Sequence, residues 1–191
     1  MERSVKRVMS RAEMDLALAR IAGEIVEANS DLDRTVLVGI RRRGVPLARI
    51  LRDKIAALTG HKLPLGILDI TFYRDDLSLV ASQPVVRASH LNFDVTGRRV
   101  LLVDDVLYTG RTTRAAIDSV IDYGRPEKVE LVVLIDRGRR ELPIQADYIG
   151  QQVETSQDEV VEVRIPPIDN GNGAVYLTTK EFLQLSEDGL G

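Results

Sequence analysis

The sequence predicts an α/β fold built on a parallel sheet, and three observations lead there. TVLVGI (35–40), LGILDITFY (65–73), RVLLVD (99–104) and KVELVVLID (128–136) carry the near-continuous apolar profile of strands buried on both faces. Segments of helical period alternate with them. Apolar residues make up 44% and charged residues 29% of the 191 residues, a globular balance with enough chain for one core, so a single domain over 1–191 is expected.

Each element has its own local reason. Ser10-Arg11-Ala12-Glu13 is a capping box, and Met14, Leu18, Ile21 and Ile25 recur behind it at helical spacing, which predicts an amphipathic helix over 11–29. TVLVGI is the first buried strand. RRRG (41–44) breaks it, and 46–58 reads as a helix with Pro46 near its first turn. LGILDITFY is the second strand. Residues 74–94 have no clean period and read as a long loop or hairpin, the kind of segment that often forms a lid. RVLLVD, a helix over 112–123 and KVELVVLID follow. ADYIG (146–150) and VVEVRI (160–165) are short late strands, and Pro166-Pro167 leads into loop-like sequence with a short strand AVYL and a loose tail. No internal repeat or low-complexity segment occurs.

Composition excludes several classes. There is no Cys, so disulfides and thiolate zinc sites are ruled out, and His61 and His90 lack metal-ligand spacing. The N-terminus MERSVKRVMSRAEMD is too charged for a signal peptide and no 18-residue apolar stretch exists, which predicts a cytoplasmic protein with no membrane partner. A net charge of −3 gives an average surface that does not attract nucleic acid and leaves room only for a local basic patch.

The chemistry concentrates in VLLVDDVLYTGRT (100–112). Ligands of parallel α/β sheets bind beyond the carboxyl ends of the strands, where Asp104 and Asp105 are expected. The following loop would lie over the N-terminus of the next helix, whose free N–H groups and dipole attract anions. Thr109, Thr112 and Thr113 add hydroxyl donors, and Gly110 permits close backbone approach. The loop suits a phosphate and the carboxylates suit hydroxyls or a divalent cation, a combination that a sugar phosphate would satisfy. A single Asp at a strand end is often only a helix cap or turn residue; two, followed by Thr-Gly-Arg-Thr, are not explained that way. G-x-x-x-x-G-K-[ST] and G-x-G-x-x-G are both absent, and too little chain follows Asp105 for a receiver domain.

That stretch resembles the phosphoribosyl pyrophosphate (PRPP) motif of type I phosphoribosyltransferases. Together with VLVGIRRRG, LDITFYRDDL, YGRPEKVELVVLIDRG and RELPIQADYIG, it makes residues 10–165 similar to the bacterial bifunctional pyrimidine operon regulators/uracil phosphoribosyltransferases. The resemblance implies a parallel-sheet fold with a small hood, from about 137–180 plus the N-terminal segment, and a flexible active-site loop. It implies that Asp104 and Asp105 hold the ribose hydroxyls and, through the substrate, Mg²⁺. Tyr108, Thr109, Gly110, Arg111 and Thr112 would cradle the 5-phosphate, with Val106 and Leu107 also at the substrate. RRRG matches the pyrophosphate loop, pointing to Arg42 and Arg43, and YRDDLSLVASQPVVR matches the closing loop, with Arg74 and Arg87 reaching pyrophosphate. Asp136-Arg137 and Val160 match the uracil-recognising hood, with Arg137 among the catalytic groups. The implied reaction joins uracil to PRPP to give UMP and pyrophosphate, in a homodimer or larger homo-oligomer.

Relatives that regulate transcription bind pyrimidine-operon leader RNA through the first helix and the segment after RELPI. Here Ala19, Gly23 and Ala28 stand where such relatives carry Thr, His and Arg, leaving Arg20. Gln145, Gln151 and Gln152 replace Arg, Lys and Asn, and Glu154 and Asp158 add negative charge. RNA affinity rests on phosphate neutralisation, so RNA binding is expected to be weak. Arg139 replaces a common His. The alternative reading is a UMP-sensing RNA-binding attenuator of the operon with weak enzymatic activity.

Overall fold

The computed structural model describes residues 5–28, 31–70, 89–169, 171, 173–179 and 181. In chain order these form β1 (Lys6–Ser10), α1 (Arg11–Glu27), β2 (Thr35–Ile40), α2 (Gly44–Thr59), β3 (Leu65–Leu68), β4 (Arg99–Leu107), α3 (Arg111–Asp122), β5 (Lys128–Asp136), β6 (Tyr148–Gln152), β7 (Glu159–Arg164) and β8 (Ala174–Thr179). The main sheet is five-stranded and parallel, in the order β3-β2-β4-β5-β6. A second, three-stranded sheet runs β1-β8-β7 and is antiparallel.

The alternation along β4 sorts the core. Leu101 and Val103 join α1, α2 and the inner residues of the small sheet, among them Val161, Val163 and Val175. Val100 and Leu102 face the other way, towards Ala115, Ala116 and Val120 of α3. The main sheet is thus covered on both sides, which is why its strands read as continuous apolar runs rather than alternating ones. The capping box forms as expected: Glu13 N–H donates to Ser10 Oγ at 3.3 Å, and Ser10 N–H donates to Glu13 Oε2 at 2.7 Å.

Several boundaries differ from expectation. α2 begins at Gly44, two residues before Pro46. A side chain at Gly44 would place its Cβ 2.2 Å from the Val103 carbonyl oxygen, so only glycine lets the helix start against β4. β3 stops at Leu68, and Ile67 exchanges backbone hydrogen bonds with His90. β6 starts at Tyr148 rather than 146, because the Asp147 carboxylate accepts the Leu131 N–H at 2.8 Å. β1 was not expected: five residues rich in charge carry too little period, and only the β8 partner defines them. The expected lid falls largely on residues 71–88, outside the described residues, as do Arg74 and Arg87.

Candidate active site

β4 does not stop before the acidic pair. It continues to Leu107 because β5 runs alongside it in register, with Asp104 opposite Val133 and Leu107 opposite Asp136. Asp104 and Asp105 therefore lie within the last turn of pairing, not in the loop beyond it. Asp104 is 8% exposed, and its Oδ1 accepts the Asp105 N–H at 2.9 Å. Asp105 is half-buried.

The loop after β4 is braced from outside. Gly110 adopts φ 92°, the left-handed region that favours glycine, and it has no side chain with which to cap α3. The Arg111 N–H donates to Thr109 Oγ1 at 3.3 Å, while the Thr112 and Thr113 N–H groups at the start of that helix point towards an anion site. The Thr109 carbonyl accepts the Glu141 and Leu142 N–H groups at 2.9 and 3.1 Å, and Arg111 pairs with Glu141 at 2.6 Å. Arg140 gathers the rest. It donates to the Tyr108 carbonyl at 3.1 Å, the Ile144 carbonyl at 2.8 Å and Asp136 Oδ2 at 2.6 Å. Burial raises the Asp136 pKa, but the Arg140 and Gly138 N–H bonds outweigh it and hold the carboxyl below its usual range.

Arg137 joins the loop to the small sheet. Its guanidinium lies 3.9 Å from the Tyr108 ring centroid and donates to Thr155 Oγ1 at 3.2 Å and to the Glu159 carbonyl at 2.8 Å. It is 6% exposed, and burial pushes it below the usual arginine range. Val160 is half-buried next to Glu159 on β7. Arg139 is left-handed at φ 55° and donates to the Thr155 carbonyl. A cleft of about 430 Å³ opens beside these groups, lined by Asp136, Arg137, Gln145, Ile149, Gln152 and Glu154.

The arginine run sits at the end of β2, next to the start of α2, where Gly44 lies against the Val103 carbonyl and Asp104 Cα. Its Arg41–Arg42 peptide is cis. Arg42 is exposed. Arg43 makes a bidentate pair with Asp169, 3.0 Å at each contact, in the turn after β7. That hydrogen bond raises the Arg43 pKa despite burial, and Asp105 adds to the effect. Arg20 lies elsewhere, on α1, where it pairs with Glu24 and donates to the Ile149 and Gly150 carbonyls of β6 at 2.8 and 2.7 Å. Arg140, Glu141 and Asp169 were missed by sequence reasoning. Arg140 and Glu141 open RELPIQADYIG, a stretch that carries the resemblance without a role for either side chain, and Asp169 has no local signal, since its partner is 126 positions away.

Carboxylates at the end of a parallel strand, followed by a helix N-terminus, set acceptors for hydroxyls beside donors for an anion. The phosphoribosyl transferase domain family matches residues 4–167. Bifunctional protein PyrR of Pelotomaculum thermopropionicum is 52% identical over 181 residues, 95% of this chain and 100% of that protein. Bifunctional protein PyrR of Deinococcus radiodurans is 51% identical over 177 residues, 93% of this chain and 96% of that protein. The chain therefore belongs to the PyrR branch of the phosphoribosyltransferase family. The fold recurs in a hypoxanthine phosphoribosyltransferase from Staphylococcus aureus, with a TM-score of 0.69 at 16% identity, covering 93% of this chain and 94% of that one.

Proposed function

We propose that the protein transfers the phosphoribosyl group of PRPP to uracil, giving UMP and pyrophosphate. The observation that carries this reading is the acidic pair one short loop away from the open N-terminus of α3, in a chain of this family. Asp105, with Asp104 behind it, accepts hydrogen bonds from the ribose hydroxyls. The Tyr108–Thr112 loop holds the 5-phosphate through backbone N–H groups and threonine hydroxyls. The bond from uracil N1 to ribose C1 forms as the C1–O bond to pyrophosphate breaks, the N1 proton passing to the departing pyrophosphate, while Arg42 and Arg43 face the charge that develops on that leaving group. The small sheet, with Arg137 and the Val160 backbone, forms the hood over the base.

Among the described residues no group of three or more His, Cys, Asp or Glu forms a metal cage. The paired carboxylates suit a hard divalent cation, and Asp104 and Asp105 would hold Mg²⁺ indirectly, through the substrate. When bound, the ion neutralises negative charge on the leaving group. No helix among the described residues is long and apolar enough to cross a membrane, and we place the reaction in the cytoplasm. Exposed Leu16 on α1 and exposed Ile121 on α3 supply apolar surface for a homodimer or larger homo-oligomer.

The test is uracil-dependent release of pyrophosphate from PRPP with and without Mg²⁺. UMP formation that requires the ion is expected. Activity on hypoxanthine or orotate in place of uracil would overturn the assignment.

A further inference from the structure

We infer that Asp169 is the positioning residue of the pyrophosphate site, acting through Arg43. The inference rests on the functional reading above for the role of Arg43. Arg43 belongs to the loop between β2 and α2, yet both ends of its fork are held by a carboxylate from the turn after β7: Nε donates to Oδ2 and Nη2 to Oδ1, each at 3.0 Å. The carboxylate is itself fixed. Asp169 Oδ2 also accepts the Ile165 N–H at 2.9 Å, and the Asp169 N–H donates to the Ile165 carbonyl at 3.0 Å. Asp169 is thus a preset acceptor, not a flexible surface acid. Burial raises its pKa, but Arg43 and the Ile165 N–H outweigh this and keep it ionised.

A guanidinium has five N–H donors in a planar fork, so a bidentate carboxylate leaves donors free to meet an anion. Arg43 is 35% exposed, and its guanidinium lies within electrostatic reach of Asp105 at the sugar site. An arginine left loose there would have to freeze its torsions on binding pyrophosphate. One held by Asp169 has lost them already. Ordering a single long side chain changes affinity about two- to tenfold. The pair also ties the small sheet to the pyrophosphate loop, so the two regions that must grip opposite ends of the reaction share one ionic contact.

The decisive variants keep both charges and disturb only geometry. Asp169→Glu moves the carboxylate by one methylene; Arg43→Lys keeps the charge and removes the fork. We expect Asp169→Glu to raise the PRPP KM and weaken pyrophosphate binding by calorimetry about two- to tenfold, with the uracil KM and melting temperature close to wild type. In an Arg43→Lys background the same change should add nothing. An equal effect in both backgrounds, or no effect in either, overturns the inference. If Asp169→Glu fails to fold, Asp169→Asn is measured in the same cycle, with coupling to Arg43 again required. Calorimetry separates the two claims. Wild-type protein that binds pyrophosphate but makes no UMP sinks the functional assignment and leaves the cycle readable, whereas wild-type protein that does not bind pyrophosphate sinks the inference.

Discussion

Asp104 and Asp105 are adjacent in sequence but differ in what they can do. The Asp104 carboxylate turns back to accept the Asp105 N–H and is buried, so part of its work is to shape the end of β4. Asp105 is half-buried, on the side from which it influences Arg43. Asp105→Asn keeps the shape and removes the charge. Losing one partner of a charged hydrogen bond costs about 1.5–3 kcal/mol, or roughly 10- to 100-fold in rate. We expect kcat/KM for PRPP to fall by that factor with an unchanged circular dichroism spectrum and melting temperature. A near-wild-type kcat/KM would show that the pair is structural. Contiguity made these acids visible in the sequence: two charges interrupting an apolar strand admit few bland explanations. Asp169 has no such mark, because its meaning comes from Arg43 at the far end of the chain.

At the scale of elements, the phosphate loop depends on a second loop, 137–144, that lies against it. Arg140 supplies the brace by joining the Tyr108 carbonyl, the Ile144 carbonyl and the Asp136 carboxylate. Arg140→Met preserves much of the length and removes every one of those donors, leaving a buried carboxylate with the Gly138 N–H as a remaining partner. We expect about 2–3 kcal/mol of lost stability in urea unfolding, together with a PRPP KM raised more than the uracil KM. A KM unchanged for both substrates would separate the brace from the site. The central strands β2, β4 and β5 were legible because their apolar runs are buried on both faces. The small sheet was only half legible. VVEVRI and AVYL have β-branched runs, but β1 is short and charged, and antiparallel pairing across the chain ends leaves no local period. The end of β4 was misplaced for a related reason: its last residues are held as strand by the β5 ladder, not by their own hydrophobicity.

Over the whole molecule, charge sets both acid tolerance and the prospects for RNA. Asp136, Asp169 and buried Glu130, which pairs with Arg99 and Lys128, are all held below their ordinary values of 3.8, 3.8 and 4.5, burial being outweighed by their hydrogen bonds. Depressed carboxyls stabilise the fold above their unfolded values and lose that contribution as pH falls through the folded ones. The melting temperature should therefore hold steady near neutrality, begin to fall near pH 4.5 and drop further below 3.8; a fall beginning near pH 6 would overturn the assignment to these carboxyls. The last expectation concerns leader RNA. α1 and β6, the elements that the resemblance assigns to the RNA face, do lie side by side, but Arg20 already commits three hydrogen bonds, to Glu24 and to the Ile149 and Gly150 carbonyls of β6. Around it stand exposed Gln151 and Gln152, with exposed Glu154 and Asp158 beyond. Each missing phosphate contact lowers the salt slope of RNA binding by about 0.7–0.9. Filter binding with UMP present, at two salt concentrations, should show only weak, non-specific attraction. Gly23→His is sterically free, since nothing lies within 4 Å of a Cβ built there. Combined with Ala28→Arg, Gln145→Arg and Gln151→Lys, it should raise RNA affinity and steepen the salt dependence without changing UMP synthesis. Nanomolar sequence-specific binding by the unmodified protein at physiological salt would overturn the expectation, and a quadruple variant that gains nothing would show that these four positions do not make an RNA face.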